Sequence, residues 1–138
     1  GGTTLLGLPG VEVIVETVPG ALHRAGLTQA VVRGVVEQAL REGGVVVFAS
    51  QAANPSASKA YLDMRMTALA LPDGSYAVAL QMHARQTVSS LVTESKIVNA
   101  ATWDTGRLVS VAATELPRVA DEIREMAAEF VADWKAAH

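Results

Sequence analysis

Two residues have the types and spacing to suggest chemistry, namely Asp63 and His83. Residues 61–71 alternate, with Leu62, Met64, Met66 and Ala68 on one side and Asp63, Arg65 and Thr67 on the other. Residues 76–85 alternate in the same way, with Tyr76, Val78, Leu80, Met82 and Ala84 set against Ala77, Ala79, Gln81, His83 and Arg85. A period of two reads as two strands. Pro72-Asp73-Gly74 between them reads as a hairpin turn. Both apolar sets carry even numbers, so facing residues must sum to an even number. A two-residue loop gives 147 and sets Met66 against Gln81, which fails. A three-residue loop gives 146, pairs Leu71 with Ser75 and places Gly74 at the left-handed position of a type I turn with a bulge. Pro72 then fits the first turn position.

In that register Asp63 faces His83 on the polar side of the hairpin. An aspartate beside a histidine can orient the imidazole as a general base for a small hydrolase-like enzyme. The structural alternative is a cross-strand ion pair, contributing a few tenths of a kcal/mol. No nucleophile is placed beside the pair, so the ion-pair reading weighs more. The small side chains of Thr67, Ala77 and Ala79 on the same face suit close approach by another sheet or chain. They read, with Trp103, as candidate binding residues. Trp103 itself reads more readily as a core plug, since large aromatics are mostly buried. Met64, Met66 and Met82 fall on the inward side and read as core filling.

Other chemistry is weakly supported. Ser56-Ala57-Ser58-Lys59 spells S-x-x-K, but it lies in a loop and lacks the S-D-N and K-T-G partners that give the motif meaning. The remaining histidines, His23 and His138, are too scattered to form a metal cluster with His83. Cysteine is absent, which removes disulfides, thiolate metal sites and cysteine nucleophiles. Phosphate-loop, dinucleotide, zinc-protease, nucleophile-elbow and EF-hand patterns are missing. No metal and no cofactor is therefore expected.

Composition bounds the partners. The chain has 138 residues, half of them apolar, 18% charged and 4% aromatic. That is the balance of one globular domain over residues 1–138. The formal net charge is −3, and residues 115–138 hold six acids against three bases. No basic run tracks a phosphate backbone or an anionic membrane, so nucleic acid is not an expected partner. No apolar run reaches the length of a transmembrane helix.

The rest of the chain must position these faces. Residues 11–18 alternate as a strand closed by Pro19-Gly20. Residues 21–27 read as a connector. Thr28 can cap a helix whose stripe is Val31, Val32, Val35, Val36, Ala39 and Leu40. Gly43-Gly44 supplies a left-handed stop, and residues 45–49 read as a buried strand. Residues 50–59 form a loop. A further strand is expected over 96–104, closed by a tight turn at Trp103-Asp104-Thr105-Gly106, with a weaker extended segment over 106–113. Thr114 can cap a last helix over 115–136 that buries Ile123, Phe130 and Trp134. The order β-α-β-β-β-β-α predicts an α+β two-layer sandwich. Its sheet has about five strands and is mixed but mostly antiparallel, with two helices on one face. The first two strands are parallel and the later ones a meander.

The chain resembles small, uncharacterised bacterial secreted or envelope proteins. The resemblance rests on residues 7–16 (GLPGVEVIVE), 27–47 (LTQAVVRGVVEQALREGGVVV), the segment Thr102-Trp103-Asp104-Thr105-Gly106 and the ending Phe130-Val131-Ala132-Asp133-Trp134. The strand–helix–strand start is also distantly similar to the amino-terminal domain of TolB. The resemblance implies export, to the periplasm or outside the cell. Gly1-Gly2-Thr3-Thr4, without methionine, fits removal of a leader, and equally a cytoplasmic protein whose start has been trimmed. The resulting expectation is a non-enzymatic module that binds a protein partner or forms a homodimer. A small enzyme using Asp63 and His83, or a carrier of an apolar small molecule, stands as the alternative.

Overall fold

The computed structural model describes residues 5, 8–54, 59–89 and 96–138. Its elements are β1 (Gly10–Val15), α1 (Gly20–Arg24), α2 (Gln29–Glu42), β2 (Val46–Phe48), β3 (Tyr61–Ala70), β4 (Ser75–Ser89), β5 (Lys96–Ala112) and α3 (Val119–Ala137). Five strands form one mixed sheet in the order β2-β1-β3-β4-β5. β1 is parallel to both β2 and β3, and β3-β4-β5 is an antiparallel meander. The α+β class and the mixed five-stranded sheet are as expected from the sequence.

The even-numbered side of β3 and β4 meets the helices. Leu62, Met64, Met66, Val78, Leu80, Met82 and Ala84 are buried, with Val11 and Val13 from β1. α2 adds Val32, Val36 and Leu40, and α3 adds Ile123, Met126, Ala127, Phe130 and Val131, to the same continuous cluster. Thr28 caps α2 by accepting from Val31 N at 3.2 Å. Gly44, at φ +86°, supplies its left-handed stop.

Local expectations fail in five places. The connector at 21–27 contains a short helix, α1, which buries Leu22. β2 lies at the sheet edge and Val46 is exposed, so this apolar run is not a doubly covered strand. Trp103-Asp104-Thr105-Gly106 is no turn. β5 runs through it for 17 residues, and the weak segment after it belongs to the same strand. The last helix opens with a 3₁₀ segment, Ala113–Arg118, which holds Pro117 and has no side-chain cap, so Thr114 caps nothing. The α-helix proper begins at Val119 because proline donates no backbone hydrogen bond. Trp134 is only half-buried, with its indole N–H donating to Leu8 O at 3.2 Å.

Candidate functional site

The hairpin fixes the geometry of the face away from the helices. Leu71 N donates to Ser75 O at 2.9 Å and Gly74 N to Leu71 O at 3.0 Å, with Gly74 at φ +86°. This is the three-residue loop that the parity of the two apolar sets allows and the left-handed Gly74 selects. Asp73 closes it by accepting from Ser75 N and Ser75 Oγ, and these bonds hold its carboxyl below the usual range. The register follows: Asp63 faces His83, Met66 faces Leu80, Met64 faces Met82 and Tyr61 faces Arg85.

Asp63 is only 3% exposed although it lies on the face that no described helix covers. Its neighbours there are Ile14 on β1, His83 on β4, and Asp104 on β5 beyond His83. Arg85 Nε and Arg65 Nη2 lie 3.8 and 4.0 Å from its Oδ2. Burial raises its pKa, and a side-chain hydrogen bond with Glu16 raises it further, against the pull of the two guanidiniums. Asp63 Oδ1 and His83 Nδ1 are both buried without a hydrogen-bond partner. The pair is thus adjacent but lacks the bond that would fix the imidazole tautomer for base catalysis. The S-x-x-K serine, Ser56, lies outside the described residues. Among the described residues no group of three or more histidine, aspartate or glutamate side chains could hold a metal ion.

Toward the hairpin turn the same face changes character. Thr67 pairs with Ala79 and Ala79 with Leu108, while Leu69 pairs with Ala77 and Ala77 with Ser110. Leu108 is 78% exposed and Leu69 64% exposed. The two leucines flank the alanines, so Thr67, Ala77 and Ala79 belong to a contiguous, largely apolar patch. Thr67, Ala77 and Ala79 were among the residues expected from the sequence to face a partner; Leu69 and Leu108 were not. Leu69 follows the polar parity of Thr67, a signal that was present; Leu108 needed the full length of β5.

Trp103 lies on the other side of the sheet from this patch. It is buried, packs edge-on against Phe130 with centroids 5.2 Å apart, and donates from Nε1 to Asp133 Oδ2 at 2.7 Å. Its orientation follows from a bulge: Ala84 pairs with Trp103 but Arg85 with Ala101, leaving Thr102 extra. Gln86 donates to Thr102 Oγ1 at 2.8 Å and occupies the bulge. One turn of α3 away, Glu129 accepts from Thr105 Oγ1 and from Arg107, and both bonds hold its carboxyl below the usual range. No family model, curated protein or solved structure matches this chain.

Proposed function

We propose that the chain is a binding module rather than an enzyme, and that its contact surface is the sheet face opposite the helices. The observation that carries this is the patch of Leu69, Leu108, Ala77, Ala79 and Thr67, where two leucines are more exposed than any other large apolar side chain named in the core or around it. Exposed apolar area on a flat sheet is stabilised by covering it with another protein surface. A second copy of the chain is the first partner to test. The expected result is a concentration-dependent increase in mass by light scattering, abolished by Ala79→Arg, which puts a charge at the centre of the patch. Unchanged association in that variant rejects the face as the contact.

A second reading is supported by the side-by-side placement of Asp63 and His83. It requires His83 to act as a base on a substrate reaching the open face. Screening generic ester and phosphoester substrates with the parent chain and His83→Gln tests it. Turnover lost in the variant would favour catalysis, and no turnover in the parent would reject it.

A further inference from the structure

We infer that the free edge of β5 is a strand-pairing site for a second copy of this chain, with Leu108 at the twofold centre. This rests on the chain being a binding module, names its partner, and places the contact at the strand edge beside the apolar face rather than on it. Leu71 and Ser75 form a hydrogen-bonded pair at the hairpin. Such pairs recur at every second position of an antiparallel ladder, so odd-numbered residues of β4 bond to β3 and even-numbered ones to β5. The β5 partners of Tyr76, Val78, Leu80, Met82 and Ala84 are Val111, Val109, Arg107, Thr105 and Trp103. Gly106, Leu108, Ser110 and Ala112 therefore turn their N–H and C=O groups away from the sheet.

β5 is the last strand in the sheet order, and no described strand pairs with that edge. From Trp103 to Ala112 its register is unbroken. An uninterrupted edge is a template for another strand. Arg107 Nη1 reaches the Gly106 carbonyl at 3.0 Å, which leaves that oxygen a second lone pair.

The side chains select the occupant and the register. Antiparallel pairing of identical edges is self-complementary and closes as a twofold dimer. A centre at Leu108 sets the most exposed leucine against its own copy and pairs Gly106 with Ser110 of the second copy. A centre at Arg107 would oppose two guanidiniums. With Leu108 at the centre, Arg107 of the second copy instead falls opposite Val109. A groove of about 340 Å³ opens there, lined by Val109, Val111, Val119, Glu115, Glu122 and Arg118. Around it stand Glu115, Glu122, Glu125 and Glu129 beside Arg107 and Arg118, so the guanidinium of the second copy's Arg107 meets mostly acid there.

The chain has no cysteine, so a single introduced thiol reports on one position. Facing residues of a hydrogen-bonded antiparallel pair have Cα atoms about 5.5 Å apart, within disulfide reach. Leu108→Cys is expected to form a disulfide-linked dimer under mild oxidation, and Leu69→Cys on the same face to remain single. Ser110→Pro removes an outward N–H and leaves the β4 ladder intact. It is expected to lose self-association with an unchanged circular dichroism spectrum, and added salt to weaken the parent dimer. If the proline variant fails to fold, the two cysteine variants decide. Equal crosslinking of Leu108→Cys and Leu69→Cys, or loss of association in Ala79→Arg with none in Ser110→Pro, overturns the edge pairing and leaves the face reading standing. A parent chain that stays monomeric at high micromolar concentration overturns the pairing and self-association together.

Discussion

Asp63 and His83 stand directly opposite each other on β3 and β4, and each keeps a buried side-chain atom, Oδ1 and Nδ1, without a hydrogen-bond partner. An unsatisfied buried polar atom costs about 1–3 kcal/mol. The pair is therefore a place where the sheet gives up stability. The cause lies in the neighbours: Arg65 and Arg85 approach Asp63 only at 3.8–4.0 Å, and Glu16 adds a second carboxyl.

That arrangement fixes the sign of a pH effect. The folded-state pKa of Asp63 is raised, chiefly by burial and then by Glu16. In the unfolded chain it titrates near the ordinary value of about 4. Between that pH and the raised folded value the native state holds more protons than the unfolded state. Stability from this group is therefore fully present below about pH 4 and is lost as pH rises through the folded value. Asp63→Asn should flatten that decline. Denaturant melts from acid to neutral pH check it, and parallel profiles for parent and variant would reject the raised folded-state pKa of Asp63.

Phe130 is fully buried and holds the edge of Trp103, so Phe130→Ala should destabilise the fold by about 3–5 kcal/mol, as for other large aromatic truncations. A loss under about 1 kcal/mol in urea melts would mean that α3 does not pack through this residue.

The hairpin was legible in the sequence because two period-two patterns and one glycine over-determine it: the shared parity excludes loops of even length, and Gly74 needs a left-handed position. α2 was legible for the same reason, since Thr28, a 3.6-residue stripe and Gly44 agree. β5 was not. Its inward side mixes Thr105 and Arg107 with Trp103, Val109 and Val111, because Glu129 on α3 supplies polar partners there. A strand whose polar residues are satisfied by another element has no clean alternation to read. The exposed apolar patch was half legible, as its alanines and threonine lie on the hairpin, while Leu108 lies on the strand that the pattern concealed. Glu16 beside Asp63 needed the parallel pairing of β1 with β3, which no local signal specifies.

Gly74 tests the turn directly. At φ +86° an L-residue carries a steric penalty of about 1–2 kcal/mol, and nothing lies within 4 Å to add a clash. Gly74→Ala should therefore lower stability by about that amount and leave the fold unchanged. A neutral effect in thermal and urea melts would mean the turn adopts another form.

Glu129 gives the opposite pH signature to Asp63. Its folded-state pKa is lowered, first by the hydrogen bond from Thr105 and then by Arg107. A depressed carboxylate contributes stability that is present above its unfolded value of about 4.3 and is lost as pH falls through the folded value. The side chain is 42% exposed, so solvent screens the pair and the contribution is modest. Glu129→Gln should lower stability at neutral pH and converge with the parent in acid. Asp63→Asn should do the reverse, differing from the parent most on the neutral side through a gain or a smaller loss. Measuring both variants across one pH series separates the two groups, because their contributions to the slope have opposite signs. If Glu129→Gln instead runs parallel to the parent at all pH values, Thr105 and Arg107 do not stabilise the carboxylate in the folded chain.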